Sequence, residues 1–184
     1  MKLSIVVTTL VVATMVACTT GGKVVHKDVP GIKNFSHIEH AKALPGSKVG
    51  FGGATEPAAM PWLAEQGFAA VINLRLATEP GAEVASGGAA AEAVGLRNIH
   101  LPFNPKDPDP ELLEKFRTAL ADQANQPLYI HCHSATRVAA LWMIWRVTDA
   151  GVELDTARSE AQSIALKPDE AVAFAEQYLK AHQN

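Results

Sequence analysis

The sequence predicts an α/β protein, with a mainly parallel central sheet of about four to five strands flanked by helices. Two observations predict it. Short runs centred on β-branched residues alternate with helical patterns through residues 47–145, and helical patterns alone follow. An apolar run at residues 128–131 also passes through a short polar loop directly into an apolar helical stretch. The 184 residues suffice for one domain with a sizeable core, and 48% hydrophobic with 19% charged residues is an ordinary globular balance. The formal charge of −3 carries no basic cluster and no basic–aromatic interleaving, so nucleic acid is not an expected partner.

In chain order, Met1-Lys2 forms a short positive start, and residues 3–16 form an apolar run of signal-peptide length. Met15-Val16-Ala17-Cys18 resembles a bacterial lipobox, which would make Cys18 a lipidated first residue of the mature chain. The alternative is ordinary cleavage after Ala17. Either way residues 1–17 read as a signal peptide and the protein as exported: periplasmic, or anchored to the outer membrane of a bacterium through its N-terminal lipid alone. Losing Lys2 takes the charge from −3 to −4. Residues 18–33 read as a polar, Gly- and Pro-containing tether, and residues 34–184 as the domain. The chain has two cysteines. With Cys18 lipidated, Cys132 has no disulfide partner, and an unpaired thiol in an oxidising compartment points to reactivity.

Within the domain, residues 47–52 read as the first strand, ending at Gly52-Gly53. Residues 55–66 read as a helix closed by Gly67, with Pro61 forcing a kink or a late start. Residues 69–74 form a strand whose C-terminal end carries Asn73 and Arg75, where open α/β sheets place their ligands. Arg75 reads either as a second cation near an anion site or as a surface ion pair. Residues 76–88 give no clear pattern. A helix at 89–94 ends at Gly95, and a strand follows at 98–101, with His100 read as a packing histidine. His37 and His40 share a helix-face spacing but lack a third ligand, so no metal and no other cofactor is expected. The Pro-stiffened stretch 102–110 precedes a helix with Leu112, Leu113, Phe116 and Leu120 on one side. Residues 128–131 are the fourth strand. The helix after Arg137 is apolar nearly all round, which predicts burial, and Trp142 and Trp145 read as core. Two amphipathic helices follow, at 154–164 and 169–180.

The loop His131-Cys132-His133-Ser134-Ala135-Thr136-Arg137 is where chemistry is expected. A tight strand-to-helix loop turns backbone N–H groups to one point, and the helix N-terminus adds about half a positive charge there. Cys132 lies inside, activated by that field and by Arg137. Arg137 is a planar fork for two anionic oxygens. His133, Ser134, Ala135 and Thr136 would cradle the anion with amides and hydroxyls, and His131 would orient the nucleophile through a ring hydrogen bond.

These residues resemble the cysteine-dependent protein tyrosine and dual-specificity phosphatases. With Gly52-Gly53 and the run Gly67-Phe68-Ala69-Ala70-Val71-Ile72-Asn73-Leu74-Arg75, the chain is closer still to the bacterial DUF442 or beta-lactamase-hydrolase-like phosphatase domains. The resemblance spans about residues 35–166. It implies a protein-tyrosine-phosphatase-like fold, a phosphorylated or otherwise anionic substrate, and phosphomonoester hydrolysis through a thiophosphoryl intermediate on Cys132. It also implies a general acid on the loop after the third strand. Asp107 is chosen there, because Asp109 before Pro110 already reads as a helix cap; an alignment from Pro102-Phe103 instead puts the acid position at Asn104-Pro105, with no acid. The four residues between Cys132 and Arg137 are also the loop length of rhodanese sulfurtransferases. Ala135 and Val138 replace the family's Gly and hydroxyl residue, so a persulfide carrier and an anion-binding module stay open as alternatives.

Overall fold

The computed structural model describes residues 21–39, 44 and 48–182. The signal-peptide and lipobox stretch, Cys18 and His40 lie outside the described residues. Six strands build one sheet: β1 (Val24–His26), β2 (Ser36–Glu39), β3 (Lys48–Gly52), β4 (Ala70–Asn73), β5 (Arg97–His100) and β6 (Leu128–His131), in the order β1-β2-β3-β6-β4-β5. Strands β3, β6, β4 and β5 run parallel, while β1 and β2 add an antiparallel edge. The predicted α/β class and mainly parallel sheet are therefore correct. The strand count among the described residues is six, because Val24–His26 and Ser36–Glu39 are also strands.

Residues 21–33 are accordingly not a free tether. Val24 to His26 pair with Ile38 to Ser36, and Val29 and Ile32 are buried. Gly22 donates its amide to Glu160 Oε1 at 2.6 Å. That carboxylate is buried and also accepts hydrogen bonds from Arg146 and from the Trp142 indole. One buried ion pair thus secures the start of the domain to two of its helices.

Among the described residues, six α-helices accompany the sheet: α1 (Met60–Glu65), α2 (Val84–Ala93), α3 (Leu112–Ala121), α4 (Thr136–Thr148), α5 (Leu154–Ile164) and α6 (Glu170–Ala181). Helix α1 starts late, after a short 3₁₀ turn at Pro57–Ala59, so Pro61 stands near its first turn, where no amide is needed. The unpatterned stretch becomes a loop and α2, whose Gly- and Ala-rich sequence has little amphipathic signal. Helix α3 begins at Leu112. Asp109 takes the amide of Glu111 and the ammonium of Lys115, one step ahead of the helix it was expected to cap. His100 is exposed, and its Nε2 meets the Arg75 carbonyl at 2.8 Å.

Helix α4 is buried on every side along most of its length, as its apolar sequence predicts, and packs under the sheet with α5 and α6. Its main core runs through Phe51, Ile72, Ile130, Leu141 and Trp142. A second cluster, with Phe35, Leu63, Phe68 and Tyr129, fills the other face.

Glu160→Ala should lower the unfolding free energy by about 3–5 kcal/mol, since it strips a buried guanidinium of its carboxylate. Urea unfolding would measure the loss, and amide exchange at Val24–His26 should rise with it.

Candidate active site

The parallel strands β3, β6 and β4 end together, and the loop from Cys132 to Arg137 rises from the central one. Gly52 and Gly53 make room behind it. A methyl group on Gly52 would collide with the Tyr129 hydroxyl. One on Gly53 would stand 2.9 Å from the His133 carbonyl and 3.0 Å from that of Lys33. This closeness lets Ala54 N–H donate to His133 O at 2.8 Å, and Asn34 Nδ2 to Ser134 O at 3.2 Å. Both loop carbonyls are thereby drawn outward. In a planar trans peptide the next N–H points the opposite way, so the amides of Ser134 and Ala135 turn to the inside of the loop. Ala135 closes the turn at φ 69° and leads into α4. A non-glycine residue there costs roughly 1–2 kcal/mol, so the loop holds strain.

Cys132 is buried beneath this loop, and its N–H donates to Gly52 O at 3.2 Å. Arg137 reaches the mouth. Its Nη1 donates to Glu79 Oε1 at 2.6 Å, to Leu74 O at 3.2 Å and to Phe103 O at 3.1 Å; its Nη2 donates to Glu79 Oε2 at 2.9 Å. A guanidinium has five N–H groups. Those contacts use the Nη1 pair and one of Nη2; the guanidinium also hydrogen-bonds the Cys132 side chain, and its Nε–H and second Nη2–H stand side by side on one edge, spaced for two oxygens of an anion. Burial alone would lower the pKa of Arg137. Hydrogen bonds to Glu79 and the negative charges of Cys132 and Glu79 outweigh it and raise the pKa.

Glu79 is the residue that sequence reasoning missed. It accepts from Arg137 through both oxygens, from Arg75 Nε at 3.2 Å and from the Leu76 amide at 2.8 Å. Burial would raise its pKa; these donors reverse that and bring it down to about 2. The signal available was an acidic residue four positions after Arg75 in an otherwise apolar stretch. Arg75 is not aimed into the loop as a second cation: it is buried, its Nη1 and Nη2 donate to the Gly81 and Pro80 carbonyls, and it pins the loop after β4 and acts on Arg137 through Glu79.

Other assignments also change. His131 is buried with its ring stacked on Tyr129, 5.8 Å between centroids, and its Nδ1 has no hydrogen-bond partner among the described residues. Its ring also hydrogen-bonds the backbone of Gly53 and of Cys132, at the base of the loop. Burial first, and then the Arg75 charge, lower its pKa to about 4, so the imidazole is neutral. Thr136 gives its hydroxyl to the Ala165 carbonyl at 3.3 Å and meets Ser134 Oγ at 3.2 Å, which turns it to structure. His133 is exposed. A cleft of about 450 Å³ opens over Arg137 and Ser134, walled by Leu76, Glu79, Phe103, Pro105 and the start of α6. Asp107 is exposed on its loop and does not line this cleft.

Residues 49–150 match the model of the beta-lactamase hydrolase-like protein, phosphatase-like domain family, more than half of the chain. The chain belongs to that family. Membership puts it among phosphatase-like domains and supports a phosphoric monoester hydrolase as its enzyme class. Solved structures share the fold at low identity. A putative DUF442 phosphatase from Shewanella putrefaciens CN-32 is 17% identical, with a TM-score of 0.63 over 82% of this chain and 94% of that one. A putative phosphatase from Neisseria meningitidis z2491 is 23% identical, with a TM-score of 0.60 over 72% and 92%. The catalytic core of the PP-IP phosphatase SIW14 from S. cerevisiae, in complex with citrate, is 18% identical, with a TM-score of 0.61 over 82% and 88%. No curated protein matches the chain.

The carboxyl of Glu79 titrates lower in the fold than its ordinary value of 4.5, so it favours folding above that pH and the benefit is lost as the pH falls toward 2. Between pH 5 and 2, thermal stability should fall more steeply in the wild type than in Glu79→Gln; parallel curves would remove the ion pair from the account.

Proposed function

We propose that this chain is a cysteine-dependent phosphatase of phosphomonoesters, exported and held at the cell envelope by a lipid on Cys18. Cys132 attacks phosphorus to form a thiophosphoryl intermediate, and water then releases phosphate. The inward amides of the loop and the paired N–H edge of Arg137 hold the non-bridging oxygens while negative charge builds on them. The observation that carries this reading is the fixed guanidinium. Glu79 and two backbone carbonyls take one end of Arg137, and the thiol's loop lies by the other.

Family membership supports the reaction class. The four-residue spacing between Cys132 and Arg137 favours one competing chemistry, persulfide transfer, which uses the same thiol and the same anion cradle. The two differ in the acceptor, and an assay tells them apart.

Para-nitrophenyl phosphate should be hydrolysed by the chain beginning after Cys18, and Cys132→Ser should lose turnover while keeping its melting temperature. Thiosulfate-to-cyanide sulfur transfer with no phosphate release would instead favour the persulfide. Arg137→Lys should cost about 10²–10³ in kcat, because an ammonium keeps the charge but cannot offer the paired N–H edge. Vanadate should raise the melting temperature of the wild type, and much less that of Arg137→Lys.

A further inference from the structure

Cleaving an ester with a basic leaving group needs a proton donor in the cleft above the loop. As Cys132 Sγ bonds to phosphorus, the P–O bond breaks and its electron pair stays on the leaving oxygen, which must take a proton to depart as an alcohol. Three carboxylates line the cleft: Glu79, Asp169 and Glu170. Glu79 is committed to Arg137, Arg75 and the Leu76 amide. Glu170 stands 3.0 Å from the Lys106 ammonium.

Asp169 is built differently. It caps α6, and its Oδ1 accepts the amides of Ala171 at 2.8 Å and Val172 at 3.1 Å. One oxygen therefore fixes the carboxyl group, and the other takes no hydrogen bond among the described residues. The segment bearing it is tied to the nucleophile loop twice. Thr136 Oγ1 donates to Ala165 O, just before the cap, and Phe174 of α6 meets Phe103 edge-on at 5.2 Å, the residue whose carbonyl holds Arg137.

We propose that Asp169 is the general acid of this site, an inference that rests on the phosphatase reading above. Protonated Asp169 gives its proton to the leaving oxygen. In the second step its carboxylate takes a proton from water, the water oxygen bonds to phosphorus, and the S–P bond breaks to restore the thiolate.

The test is Asp169→Asn on the chain beginning after Cys18, with two esters. Asparagine caps a helix about as well as aspartate, so the melting temperature should hold. With phenyl phosphate, whose leaving group is basic, kcat/KM should fall about 10²-fold or more. With para-nitrophenyl phosphate, whose leaving group departs as the anion, the loss should stay under about tenfold. Equal losses on both esters, or none, would overturn the assignment. So would a leaving-group-dependent loss in Asp107→Asn with Asp169→Asn unimpaired. A wild type that hydrolyses neither ester overturns the phosphatase reading itself, and the proposal with it.

Discussion

The site depends on one carboxylate shared by two guanidinium groups. Glu79 lies between Arg75, at the end of β4, and Arg137, in the first turn of α4. Arg137 also reaches the carbonyls of Leu74 and Phe103, which follow β4 and β5. One side chain thus cross-links the exits of three neighbouring parallel strands. An ion pair at this depth loses hydration that its mutual attraction only partly offsets, so its contribution to stability is modest. Its larger effect is geometric. A flexible arginine would spend entropy each time it gripped an anion; one held at three acceptors presents its paired N–H edge already aligned.

The loop itself is strained, and its surroundings sustain the strain. Ala135 occupies a left-handed conformation that glycine takes more readily. It is held there because α4 cannot shift: the helix is packed on all sides, and Trp142 within it is hydrogen-bonded to Glu160. From the other side, the Gly52-Gly53 step lets backbone meet backbone. The glycines and the strained alanine therefore do complementary work, one making space and the other filling it.

How much of this was legible in the sequence follows from which forces leave a periodic mark. Burial does. The strands β3, β4, β5 and β6 and the helices α4, α5 and α6 were readable from their apolar spacing, and the thiol–arginine loop from its position between β6 and α4. Edge strands do not, since β1 and β2 alternate too briefly among polar residues to declare themselves, and their partners are set by tertiary pairing. Glu79 was invisible for another reason. Its role is defined by Arg137, 58 positions away, and local sequence holds no record of that distance. Arg75 was readable as a cation but not in its direction. Asp107 was chosen because Asp109 had another duty, yet elimination says nothing about which side chain faces the cleft.

The charge balance at the loop differs from that of the whole chain, whose formal charge is −3. Arg75, Arg137 and Glu79 together carry one net positive charge beside the Cys132 side chain, whose own negative charge acts on Arg137, and the inward amides and the α4 N-terminus add to the positive side. His131, neutral through burial and the field of Arg75, adds nothing to that charge near neutral pH. The charge around the loop therefore does not depend on His131 there. A protonated His131 would have tied that charge to pH. Burying it neutral leaves the positive charge at the loop to the two arginines.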